Sequence, residues 1–166
     1  MLLDRLAIAI PLLPVAVWVI ALGGPVYAVL VGFILFLAAR EYHRLFQAGG
    51  QRPAGPLLLI GAPLLALARA LPGVLPGGAL AALILTALVW HLVDFERGAP
   101  ASGTDFAVTL GGLLYLGWMG GYLIDLRRLP DGLWWTATLL SAVWLADTAA
   151  YAAGRALGRR LLAPRL

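Results

Sequence analysis

The sequence predicts an all-α protein, a polytopic transmembrane bundle of about six helices with both termini cytoplasmic. Three observations carry that prediction. Of 166 residues, 62% are hydrophobic and 12% charged, with a mean hydropathy of +0.92, whereas a soluble domain carries about a quarter charged residues. The charges leave long gaps, with none between Arg5 and Arg40, between Arg69 and Asp94, or between Asp105 and Asp125. Runs such as LLLIGAPLLALA lack the period-two alternation of a membrane β-barrel. Each gap holds at least one helix of the ~17 to 25 residues that cross a bilayer core, and a helix pairs its own backbone polar groups there.

The first span is expected from about Leu6 to Leu22, with Pro11 and Pro14 early in it. It has the charged tip and apolar run of a signal peptide, but no A-x-A-like site closes it and further spans follow. Gly23-Gly24-Pro25 is short enough only for a tight reversal. The second span covers 26–46, apolar to Ala39 and amphipathic through Arg40, Glu41, Tyr42, His43 and Arg44, where Arg stems snorkel and Tyr favours the interface. Gly49 to Pro53 is a loop. Spans three (57–71) and four (79–93) are short and separated by PGVLPGG. Asp94 to Asp105 is the longest polar stretch and reads as an extramembrane loop. Span five (106–124) carries Gly at 111, 112, 117, 120 and 121, suited to close helix contacts in lipid. Span six (133–153) opens on the interfacial pair Trp134-Trp135. The whole chain is read as one transmembrane domain.

Arginine sets the orientation. There is no Lys, and nine of the twelve Arg fall on the face shared by the N-terminus, the loops after spans two and four, and the C-terminal tail. The positive-inside rule makes that face cytoplasmic. The basic residues form no dense tract, so nucleic acid is not an expected partner. Without Cys, disulfides and thiolate metal sites are excluded.

Asp147 is the unusual residue, because an ionisable group inside a span costs on the order of 3 kcal/mol. Helical spacing puts Asp147, Tyr151, Gly154, Arg155 and Gly158 on one stripe, and Arg159, Arg160 and Arg165 extend its positive end. A carboxylate, a hydroxyl and guanidinium groups in that order suit a metal-bound or phosphate-bearing ligand reached from the cytoplasm. A purely structural reading stands beside it: Asp147 pairs with Arg155 or caps a partner helix, the glycines form a packing face, and the Arg cluster is a topology signal or binds lipid headgroups. His43 and His91 read as isolated interfacial or packing residues. Asp94, Glu96 and Asp105 form a small acidic loop, able to hold a cation but more simply solvated. No P-loop, nucleophile elbow or Rossmann fingerprint is present.

The run Trp144-x-Ala146-Asp147-Thr148-x-Ala150-Tyr151-x-x-Gly154-Arg155-x-x-Gly158-Arg159, followed by Leu162-Ala163-Pro164-Arg165, resembles the segment that precedes the active-site motifs of phosphatidate cytidylyltransferases, also called CDP-diacylglycerol synthases. Arg5-Leu6 before a Pro-bearing first helix, and Ala38-Ala39-Arg40-Glu41-Tyr42 ending the second, agree with it. The resemblance implies a multi-pass enzyme of the cell inner (plasma) membrane that condenses CTP with phosphatidic acid to CDP-diacylglycerol and pyrophosphate. It further implies Mg²⁺ as cofactor, Asp147 as metal ligand, Asp147 and Tyr151 as catalytic residues, and Arg155, Arg159, Arg160 and Arg165 as phosphate binders. Expected partners are CTP, phosphatidic acid and membrane lipids, with a homodimer left open.

Family members continue into a Ser-Pro-Lys-Lys-Thr-x-Glu-Gly type motif and a later signature with His-Gly-Gly and Asp-Arg-x-Asp, which these 166 residues do not contain. The chain therefore reads as an N-terminal portion of such an enzyme, inactive by itself. The alternative is a small non-catalytic membrane protein or transporter subunit with Asp147 as a buried ion site.

Overall fold

A computed structural model describes residues 14–158, and among them every regular element is helical. The elements are α1 (14–22), α2 (Gly24–Ala48), α3 (Leu57–Ala70), α4 (Pro76–Glu96), α5 (Ser102–Arg128) and α6 (Gly132–Leu157). The first half of the expected first span, together with Arg159, Arg160 and Arg165, lies outside the described residues. By length and composition α2, α4 and α5 can cross a membrane, whereas α3 is shorter. α6 is 26 residues long, but its Trp, Thr, Tyr and Gly content dilutes its apolar character.

The turn between α1 and α2 rests on glycine. Gly23 and Gly24 have φ of 64° and 57°, a region where a side chain is strained, and Pro25 in the first turn of α2 has a ring-fixed φ already suited to a helix. From there α2, α3 and α5 pack together. One cluster joins Val19 of α1, Tyr27, Val31 and Leu35 of α2, Ala66 of α3 and Ile124 of α5; a second joins Leu58 and Ala62 of α3, Ala87 of α4 and Leu113 of α5. α4 buries only Ala87 and His91 and turns the rest of its surface outward, as a lipid-facing helix does.

In lipid, contact between helices comes from close packing of small residues rather than from water exclusion. α5 uses glycine for this. A Cβ on Gly117 would stand 3.0 Å from both the Cα and the carbonyl oxygen of Ala62, and one on Gly112 would stand 2.4 Å from Leu58 Cδ2. Both glycines border or lie within Leu113–Met119, a π-helical stretch that faces a second one at Leu57–Gly61. Such wide turns displace side chains from α-helical register. Because the obstacle at Gly117 is backbone, Gly117→Val is expected to push α3 from α5 and cost about 2 kcal/mol, read as a lowered thermal midpoint in detergent.

Several helix ends differ from the expected ones. α4 runs on through Asp94 and Glu96, and α5 begins at Ser102, so the loop expected over Asp94 to Asp105 shrinks to 97–101. The cause lies in Asp105, whose carboxylate accepts the backbone N–H of Arg52 at 2.7 Å and is 3% exposed. A residue held in that way stays in the bundle rather than in water.

Candidate functional site

α6 leaves α5 through a sharp corner. Asp131 adopts a left-handed conformation with φ 56°, which a short polar side chain tolerates. Gly132 then sits so close to Arg127 that a Cβ would meet its carbonyl oxygen at 2.3 Å. Thr136 is buried, its hydroxyl donating to the Gly132 carbonyl at 2.7 Å. Beyond this first part, every residue from Ser141 to Ala156 is exposed.

That exposed stretch carries Asp147, Tyr151 and Arg155, each four residues from the next and so on one face. Arg155 Nη1 donates to the Tyr151 hydroxyl at 3.4 Å, a long bond that leaves the guanidinium free to turn toward a ligand. Asp147 has no hydrogen-bond or ion-pair partner among the described residues, and Arg155 reaches Tyr151 rather than Asp147. The fold thus joins two of the residues singled out from the sequence and leaves the carboxylate unpaired beside them. No group of three or more His, Asp or Glu among the described residues could hold a metal ion. Asp147 offers one ligand, and a divalent ion carried on a polyphosphate needs only one or two protein carboxylates.

A second polar group closes the end of the bundle where α2 and α4 finish and α3 and α5 begin. Thr109, fully buried, donates its hydroxyl hydrogen to the Asp105 carbonyl at 2.9 Å and accepts the Ala54 N–H at 2.9 Å. His91 Nε2 lies 2.9 Å from the same oxygen. With the Thr109 hydrogen committed to a carbonyl, Nε2 is the donor. Its other nitrogen, Nδ1, faces Asp94 at 3.8 Å. Tyr42 adds a bond from its hydroxyl to the Val108 carbonyl at 2.9 Å. His91 is therefore not isolated: it helps hold the 52–54 segment against α5. Asp105 is no part of a solvated acidic loop, since burial and the Arg52 N–H hold it in the first turn of α5.

The opposite end of the bundle is tied by Arg69, 7% exposed, which forms an ion pair with Asp125. Its guanidinium lies 4.5 Å from the Trp118 ring centroid and 4.0 Å from that of Tyr122, within range of cation–π attraction. Arg128 donates to the Arg69 carbonyl. Sequence reasoning missed these ties. A signal was present: Arg69 closes span three and Asp125 closes span five, so alternating topology brings both to one end.

The chain matches the cytidylyltransferase family over residues 3–166. It is 32% identical over 177 residues to a phosphatidate cytidylyltransferase of Pseudomonas aeruginosa, covering 100% of this chain and 62% of that protein. It is 26% identical over 187 residues to one of Synechocystis, covering 96% of this chain and 62% of that protein. The chain thus spans less than two thirds of the length of these curated relatives. No solved structure matches it. A match running from the first helix through the Asp147 face to the last residue places this membrane protein in the cytidylyltransferase family.

Proposed function

We propose that the chain is the N-terminal membrane portion of a phosphatidate cytidylyltransferase, working at the cytoplasmic side of the cell inner membrane. The observation that carries this reading is the unpaired Asp147 on an exposed face of α6, beside the Tyr151–Arg155 pair, in a chain whose relatives carry that activity in their names. The nine-to-three division of Arg supports cytoplasmic termini, which gives the Arg155 end access to CTP.

In the reaction, a phosphate oxygen of phosphatidic acid attacks the α-phosphorus of CTP. The bond from that phosphorus to the bridging oxygen breaks, and pyrophosphate leaves. Arg155, with Arg159, Arg160 and Arg165, binds phosphate oxygens through charge-assisted hydrogen bonds and stabilises the charge that builds on them. Tyr151 orients Arg155 and can donate to the same oxygens. Asp147 would supply one carboxylate to a divalent ion, for which we propose Mg²⁺, and that ion would supply charge neutralisation for the departing pyrophosphate.

The remaining ligands belong in the part of the relatives that these 166 residues do not match. The purified chain is therefore expected to form no CDP-diacylglycerol from CTP, phosphatidic acid and Mg²⁺, assayed with radiolabelled CTP. Product formation above background would overturn the reading of the chain as an inactive portion. A chimera joining it to the unmatched remainder of the Pseudomonas aeruginosa relative tests the activity itself, and an inactive but folded chimera would count against it.

A further inference from the structure

A groove of about 500 Å³ opens at the end of the bundle where α2 begins and α3 and α5 finish. Its walls are apolar, with Tyr27 of α2, Leu64 and Leu67 of α3 and Ile124 of α5 among them, and Arg127 and Arg128 stand at its edge. This is the end from which α6 departs, so Arg155 lies 23 residues, roughly 35 Å of helix, further on. The groove is separate from the face that carries Asp147.

Among the described residues, nothing neutralises the two arginines. Arg69 takes Asp125, and neither Arg127 nor Arg128 has a carboxylate in ion-pair range among the described residues. Arg127 is nevertheless fixed: its Nε donates to the Ile20 carbonyl at 2.8 Å and one Nη to the Ala21 carbonyl at 3.0 Å. Those bonds anchor it against the α1–α2 turn and leave the other Nη without a partner among the described residues. Arg128 is exposed and spends one nitrogen on the Arg69 carbonyl. A positioned, uncompensated guanidinium pair above an apolar slot at a bilayer interface is complementary to an amphipath with an anionic head.

We propose that this groove binds one anionic phospholipid, an acyl chain lying between α2 and α3 and the headgroup phosphate held by Arg127 and Arg128. The site is a second lipid site, unconnected with the phosphate chemistry of α6. Free phosphate offers the head without the chain, and the test separates the two.

The test is native mass spectrometry of the 166-residue chain released from nanodiscs holding equal amounts of phosphatidylglycerol and phosphatidylcholine. Phosphatidylglycerol is expected to be retained about tenfold over phosphatidylcholine, and Arg127→Gln/Arg128→Gln to remove that preference, as expected for losing a charge-assisted bond. Val29→Trp fills the groove from a position that is 64% exposed, and is expected to lower retention of both lipids without disturbing the fold. Should the double variant not fold, Arg128→Gln carries the same test, since its one recorded bond is to the Arg69 carbonyl. Equal retention of the two lipids by the unaltered chain would overturn the proposal. So would a preference that survives in folded Arg variants, retention unchanged by Val29→Trp, or inorganic phosphate displacing phosphatidylglycerol at millimolar concentration.

Discussion

Asp147→Asn, introduced into an active chimera with the rest of the Pseudomonas aeruginosa relative, is expected to lower kcat/KM for CTP on the order of 100-fold or more. The amide keeps the size of the side chain and removes its charge, so a packing role would be little affected. A role at the phosphates predicts a further sign, a rise in the Mg²⁺ concentration needed for half-maximal rate. Tyr151→Phe is the companion change and is expected to cost less, since Arg155 keeps its charge without the 3.4 Å bond to the hydroxyl. Unchanged activity and unchanged metal dependence in Asp147→Asn would return this carboxylate to helix packing.

Asp125→Ala is expected to be the most destabilising single change at the opposite end, by about 3 kcal/mol. It strands the Arg69 guanidinium, which is 7% exposed and pressed against Trp118 and Tyr122, without an anion. Arg69→Ala is expected to cost less per charge removed, because Asp125 is 39% exposed and water can take over its solvation. Thermal unfolding in detergent measures both, and a double-mutant cycle isolates the pair. A double variant whose loss equals the sum of the single losses would show that the ion pair contributes nothing.

The helices were legible because charge is excluded from the bilayer core. The gaps between Arg5 and Arg40, Arg69 and Asp94, and Asp105 and Asp125 mark where the apolar segments lie, and Gly23-Gly24-Pro25 marks a turn that only such residues make. What resisted reading depends on partners far apart in sequence. Asp105 looks like a loop residue until the Arg52 N–H is brought to it, and His91 looks isolated until Thr109, 18 positions on, lies beside it. The π-helical stretches at Leu57–Gly61 and Leu113–Met119 leave no compositional mark, since their cause is the fit of one helix against the other. Asp147, Tyr151 and Arg155 could be placed on one face from spacing alone. Spacing could not tell that Arg155 turns to Tyr151 and away from Asp147.

The exposed stretch of α6 bears on how such a protein is made. Segments leaving the ribosome are sorted into the bilayer one after another, each by its own partition free energy. An Asp near the middle of a helix lowers that tendency sharply. α2, α4 and α5 are apolar enough to enter unaided, whereas α6 holds Asp147 and is diluted by Trp, Thr and Tyr. Its insertion then becomes a collective event during biogenesis, dependent on helices already in place and on whatever later shields the carboxylate. The most polar of the long helices is thus the one whose delivery into the membrane depends on the rest of the chain.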